Sequence, residues 1–179
     1  LEEADRLASL VDQLLTLSRA ETRQAQLSVD QIDLRALADD VAAHLGVLAE
    51  EQRQTITIDA KGNPQALGDR LVIRQALINL VDNAIKFSGV GGRVRIRVAE
   101  EGNRAFADVS DSGPGVPADA RERIFDRFYR ATTSATGTGL GLSIARGAVE
   151  ANGGRLTLHE TGPHGSTFRI ALPRAGRSE

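Results

Sequence analysis

Apolar positions change their period several times along the chain, and each change marks an expected element. Over residues 1–20 they fall at Leu1, Ala4, Leu7, Ala8, Leu10, Val11, Leu14, Leu15 and Leu17, a heptad-like stripe wider than a two-position seam. A lone helix of this length is marginal in water, so its expected neighbours are a further helix, a second subunit or both. Packing on the main domain is the alternative. Leu27, Val29, Ile32 and Leu34 then alternate as a short strand. Asp33 can cap a helix in which Leu34, Leu37, Ala38, Val41, Leu45 and Leu48 recur at three- and four-residue spacing. Residues 55–59 alternate as a strand, Lys61-Gly62-Asn63-Pro64 turns the chain, and Asp69 can cap a long helix through Phe87, ended by Ser88-Gly89. Val94, Ile96, Val98 and Ala105, Ala107, Val109 flank Gly102-Asn103 as an antiparallel hairpin. Beyond a Gly/Pro loop come a short helix over 118–129, a Thr/Gly-rich stretch and a helix over 140–151. Two final strands, 155–160 and 167–172, flank Gly162-Pro163-His164-Gly165. Helices mixed with mostly antiparallel strands predict an α+β fold, a two-layer sandwich.

Composition narrows the chemistry. The 179 residues suffice for one main core, and 41% hydrophobic against 26% charged residues argues against disorder. A formal charge of -2 provides no global basic field for nucleic acid, so an anionic ligand must be held locally. With no Cys, disulfides, zinc–thiolate sites and thiol catalysis are excluded. No apolar run approaches the roughly 20 residues of a membrane-spanning helix. A chain that starts at Leu1 and contains no Met is expected to be a piece of a longer protein, and its 18 Gly need a location.

Three stretches carry candidate chemistry. Gln75, Asn79, Asn83 and Lys86 share one face of the helix after Asp69, opposite Leu77, Leu80, Val81, Ala84 and Ile85. Asn is a poor helix former, whereas its carboxamide oxygen is a neutral hard ligand for Mg²⁺ and Lys86 can meet a phosphate. Taken alone, such a stripe is more often a solvated face than a site. Asp111-Ser112-Gly113-Pro114-Gly115 follows a strand end, where a carboxylate beside bare backbone could face a planar ligand or simply make a turn. Gly137-Thr138-Gly139-Leu140-Gly141-Leu142 opens a helix, so its N–H groups form an anion cradle or a hinge.

In combination these stretches become specific. Asn79-Leu80-Val81-Asp82-Asn83-Ala84-Ile85-Lys86-Phe87-Ser88 resembles the N box of sensor histidine kinases of bacterial two-component systems. Asp111 to Gly115 is similar to their G1 box, Ile124-Phe125-Asp126-Arg127-Phe128-Tyr129-Arg130 to the F box, Gly137 to Leu142 to the G2 box, and Gly165-Ser166-Thr167-Phe168 to the last glycine motif. Residues Arg6-Leu7 to Glu21 resemble the second helix of the dimerisation and phosphotransfer hairpin, so the resemblance spans nearly the whole chain.

The resemblance implies a Bergerat-type ATP-binding catalytic domain over 25–175, a mostly antiparallel sheet covered by helices on one face. It also implies a truncated hairpin helix over 1–24 and a tail over 176–179. Asn83 would bind Mg²⁺ with Asn79 beside it, and Lys86 would contact phosphate. Asp111 would accept from the adenine amino group, assisted by Thr167, with Phe87 against the base and Gly113 and Gly115 beside it. Arg130 and the segment through Gly137 to Thr138 would form a lid over the triphosphate, anchored by packing of Phe125 and Phe128. Gly139, Leu140, Gly141 and Leu142 would offer N–H groups to the phosphates. Ser112 stands where the family commonly has Asn. Related ATPases such as DNA gyrase carry a Glu as general base where this chain has Asn79, and a carboxamide takes no proton at neutral pH, so the implied nucleophile is a His imidazole and not water.

His44, His159 and His164 are the only histidines, and none lies in a His-Glu-x-x-Thr-Pro setting, so the acceptor His is expected outside this sequence. The implied partners are ATP, the protein's own phosphoacceptor hairpin, a cognate response regulator and a second subunit through the N-terminal helix, without nucleic acid. The implied location is the cytoplasmic portion of a membrane-anchored sensor. An anti-sigma-type Ser/Thr kinase and a non-catalytic nucleotide-binding dimerisation module are the alternative functions.

Overall fold

The computed structural model describes residues 27–131 and 138–176. The helix expected over 1–24 and the residue Gly137 lie outside them. Asp33, extended at φ -73, ends strand β1 (Asp30–Asp33), and its carboxylate accepts the Ala36 N–H at 3.0 Å to start helix α1 (Leu34–Glu51). Asp69 does the same for helix α2 (Arg70–Ser88), accepting from the N–H groups of Leu71 and Val72 at 3.0 and 3.2 Å. Helix α3 (Gly141–Ala151) begins after Leu140 with no side-chain cap.

The main sheet has the order β2-β4-β5-β7-β6, from strands β2 (Thr55–Ala60), β4 (Arg93–Glu101), β5 (Arg104–Ser110), β6 (Arg155–Gly162) and β7 (Gly165–Pro173). Only β2 and β4 run parallel; the other neighbours are antiparallel. Val94, Ile96, Val98, Ala107, Val109, Phe168 and Ile170 project to one side, into a core shared with the apolar stripes of α1, α2 and α3. The other side is polar. There Arg169 holds Asp108 through two bonds, 2.6 and 2.8 Å, and lies 4.2 Å over the Phe106 ring, with Arg97 at 5.8 Å. The expected two-layer sandwich with helices on one face is therefore observed.

Two expectations change. A strand β3 (Gln65–Gly68) pairs antiparallel with β1; four residues are too few to show a period, and the partner 34 residues away supplies the order. Over 118–129 there is no helix but a run of turns, with N–H groups of Ala120, Arg123 and Asp126 reaching back three residues to Pro117, Ala120 and Arg123. Phe128 stands at φ 63, outside helical geometry. Within the segment Ala120 is buried and Ile124 and Phe125 are half-buried, and one four-residue bond, Ile124 N–H to the Ala120 carbonyl at 3.0 Å, stands among the three-residue ones.

Candidate functional site

Asp111 follows the end of β5 and sits against the start of β7. Its backbone N–H donates to the Ser166 carbonyl at 2.9 Å, while its Oδ1 accepts from the N–H groups of Gly113 (2.8 Å) and Ser166 (3.2 Å). Oδ2 accepts no hydrogen bond among the described residues. Partial burial raises the Asp111 pKa, and the two backbone donors oppose that shift. The carboxylate is thus oriented by one oxygen and available through the other.

On α2, Asn79 and Asn83 lie one turn apart and half-buried, and neither side chain has a hydrogen-bond partner among the described residues. Lys86, in the last turn, pairs with Asp82. The Phe87 ring is largely exposed, and its carbonyl oxygen would stand 2.5 Å from a Cβ on Gly113. Ser88 Oγ accepts from the Ser112 N–H at 3.2 Å, and Ser112 Oγ accepts from the Arg93 N–H at 2.9 Å. The Asp111 loop is therefore fastened directly onto the end of the helix that carries Asn79, Asn83 and Lys86.

Helix α3, packed on α2, presents the second half of the glycine motif. Since Leu140 makes no side-chain cap, the N–H groups of Gly141, Leu142 and Ser143 have no intrahelical acceptor and point out of the helix start. Gly139 stands at φ 73, where a Cβ would crowd Phe128 and Tyr129 at 2.8 Å, and its carbonyl accepts the Phe128 N–H at 2.9 Å. That bond joins the stretch before Arg130 to the stretch after Thr138. Phe125 packs edge-on against Phe168, with ring centroids 6.2 Å apart, as an anchor should. Phe128 does not: it is 65% exposed, because its left-handed backbone turns the ring outward.

Thr167 is not placed with Asp111. Along β7, Ser166 and Phe168 face the core side, so Thr167 faces the other and its hydroxyl pairs with that of Ser110 at 2.9 Å. Ser166 is the hydroxyl beside Asp111, paired with Thr161 at 2.9 Å. It was legible in principle, since a core Phe168 forces Ser166 inward. The glycines also gain a more local reason. A Cβ at Gly115, at φ 79, would meet the Gly162 carbonyl at 2.1 Å, so Gly113 and Gly115 are required by crossing backbone. Of the site glycines Gly113, Gly115, Gly139, Gly141 and Gly165, Gly141 alone has open space around its missing Cβ and no left-handed φ. A separate groove of about 700 Å³ runs along the edge strand β6 between Phe125 and Arg146, and none of the expected site residues lines it. No group of three His, Asp or Glu suited to a metal occurs among the described residues, which leaves the carboxamides as candidate ligands.

Residues 68–176, which contain all of this geometry, match the family described as histidine kinase-, DNA gyrase B-, and HSP90-like ATPase. The chain belongs to that family. Within it, the chain is 35% identical to the sensor protein IrlS of Burkholderia pseudomallei, over 97% of its own length and 38% of IrlS. Full-length ShkA in complex with AMPPNP superposes with a TM-score of 0.85 at 33% identity, over 99% of this chain and 38% of ShkA. Histidine kinase ThkA in complex with the response regulator protein TrrA superposes at 0.78 with 26% identity, over 97% of this chain and 49% of that one. The chain spans less than half the length of the curated relatives it matches. No helix among the described residues is long and apolar enough to cross a membrane.

Proposed function

We propose that this chain is the ATP-binding catalytic portion of a sensor histidine kinase, moving the γ-phosphoryl group of Mg-ATP to a His on a phosphoacceptor helix. The observation that carries it is the Asp111 carboxylate, fixed through Oδ1 by two backbone donors with Oδ2 left to accept from an exocyclic amine. That arrangement selects adenine over guanine, whose corresponding group is a carbonyl. Ser166, beside Asp111, takes the assisting role first given to Thr167, and Phe87 offers an exposed ring to the base.

Asn83, with Asn79 beside it, suits Mg²⁺ because both carboxamides are unpartnered among the described residues and the metal needs few protein ligands when phosphates complete its shell. Bound there, the ion would neutralise charge on the phosphate oxygens. The uncapped N–H groups of Gly141 and Leu142 hold phosphate oxygens, and Lys86 reaches them by leaving Asp82. Arg130 and Thr138, with Gly137 between them in sequence, close over the triphosphate. Asn79 cannot take a proton from water, so transfer to an imidazole is favoured over hydrolysis. His44, His159 and His164 are all exposed and none lies in a His-Glu-x-x-Thr-Pro setting, so the acceptor is a His of the hairpin that residues 1–24 would help form. A response regulator receiving that phosphoryl group, dimerisation through the N-terminal helix, and a cytoplasmic placement beneath a membrane anchor belong to the same proposal.

The test is ATP binding and phosphorylation of an added acceptor hairpin. Asp111→Ala should abolish measurable ATP binding in a folded protein, and normal binding by that variant would overturn the site. Acid-labile phosphate on the hairpin identifies phosphohistidine; acid-stable phosphoserine would indicate a Ser/Thr kinase instead, and no phosphate at all a nucleotide-binding module.

A further inference from the structure

We propose that Gln54, in the connection between α1 and β2, is a positioning residue of the nucleotide site, holding the last turn of α2 against the Asp111 loop. The inference rests on the nucleotide function above. Gln54 is only 5% exposed, and its Nε2 donates to two carbonyls of the α2 terminus, Ile85 at 2.9 Å and Gly89 at 2.6 Å. The final carbonyls of a helix lack intrahelical partners, so this one carboxamide clamps the turn that carries Lys86 and Phe87.

The Gln54 Oε1 is buried with no hydrogen-bond partner among the described residues, so the donors of Nε2 alone fix the carboxamide, and replacing it by an apolar side chain would leave the Ile85 and Gly89 carbonyls without this donor. The preceding Arg53 is held at φ 54, a left-handed conformation unfavourable for a residue with a Cβ, and the chain reverses there to bring Gln54 inward. The flanking backbone clasps the same turn: Gly91 N–H donates to the Gln52 carbonyl at 2.9 Å and Thr55 N–H to the Gly92 carbonyl at 3.3 Å.

From the clamped turn the contacts continue to the base end of the site. Ser88 Oγ receives the Ser112 N–H, Ser112 Oγ receives the Arg93 N–H, and the Phe87 carbonyl lies so close to Gly113 that a Cβ there would stand 2.5 Å from it. Gln54 therefore sets where Asp111 stands relative to Lys86 and Asn83, that is, the span between the base and the phosphates, without touching the nucleotide.

The experiment compares the wild-type chain with Gln54→Met, which keeps length and volume but removes both donors, well below the melting temperature of each. ATP affinity should fall at least tenfold and discrimination against GTP should narrow, and the Ser112 and Gly113 amide NMR signals should shift before nucleotide is added. Ser88→Ala breaks the far end of the same chain of contacts, so the double variant should bind ATP no more weakly than the weaker single variant. A Gln54→Met protein with lowered melting temperature but unchanged Ser112 and Gly113 signals overturns the proposal, whether or not ATP binds. So do unchanged ATP affinity and multiplicative losses in the double variant. Wild-type protein that fails to bind ATP overturns the nucleotide function instead, and the free-protein signals still decide the positioning role. Should Gln54→Met not fold, Gln54→Asn, which retains a carboxamide too short to reach both carbonyls, is put through the same two measurements.

Discussion

A Cβ on Gly165 would stand 1.9 Å from the carbonyl oxygen of Asp111, so β7 can begin beside the Asp111 loop only as bare backbone. Gly165 also sits at φ 134, which L side chains rarely adopt. Gly165→Ala is expected to destabilise the fold by on the order of 2–4 kcal/mol, since both the strain and the displaced loop count. Thermal or denaturant unfolding measures this.

Gly141 is the opposite case. Its missing Cβ faces open space and its backbone needs no left-handed conformation, so Gly141→Ala should stabilise the free protein by up to ~1 kcal/mol through helix propensity. If phosphates approach that backbone, the same methyl weakens ATP binding at least tenfold. A raised melting temperature together with weaker ATP binding, read by calorimetry, is the expected pair.

Asp111 has its pKa raised by burial, so the folded chain binds that proton more tightly than the unfolded chain does. Its contribution to stability therefore declines as pH rises through the interval between the unfolded and folded values and stays at its least favourable above it. Asp111→Asn keeps an oxygen for Gly113 and Ser166 while removing the charge. The variant should melt higher than wild type at pH 7, with the difference disappearing below about pH 3, under the ordinary carboxylate range. Its amide nitrogen would meet the adenine amine donor to donor, so ATP binding should fall by a factor of about 10–100.

Asn83 makes no hydrogen bond among the described residues, so Asn83→Ala should change stability by no more than about 0.5 kcal/mol. Its ATP affinity should lose the difference between magnesium and EDTA buffers. A variant that keeps that difference would remove Asn83 from the metal site.

Ser166 and Thr167 are adjacent but lie on opposite faces of β7. Ser166→Ala should weaken ATP binding several-fold, while Thr167→Val should leave it within about threefold of wild type, its side chain lying on the face of β7 away from Asp111. Titration of both variants distinguishes the two faces.

Local signals account for what the sequence by itself determined. The caps at Asp33 and Asp69, the Asn79/Asn83 stripe and the strand alternation around Gly102 each act within one or two turns of chain, so their physics is contained in neighbouring residue types. The family's five motifs could be placed in order for the same reason. Tertiary structure alone decided the rest. Whether Ser166 or Thr167 stands beside Asp111 depends on the register of strands 55 residues apart. The bare backbone at Gly113, Gly115 and Gly165 answers to carbonyls of Phe87, Gly162 and Asp111, close approaches that no spacing rule contains. The segment 118–129 has helical composition, yet it docks on the core through Ile124 and Phe125, with Ala120 buried, as a run of turns. Gln54 shows the limit most plainly: a single glutamine between a helix and a strand acquires meaning only when folding brings the end of α2 to its side chain, because a hydrogen bond is specified by distance in space and not along the chain.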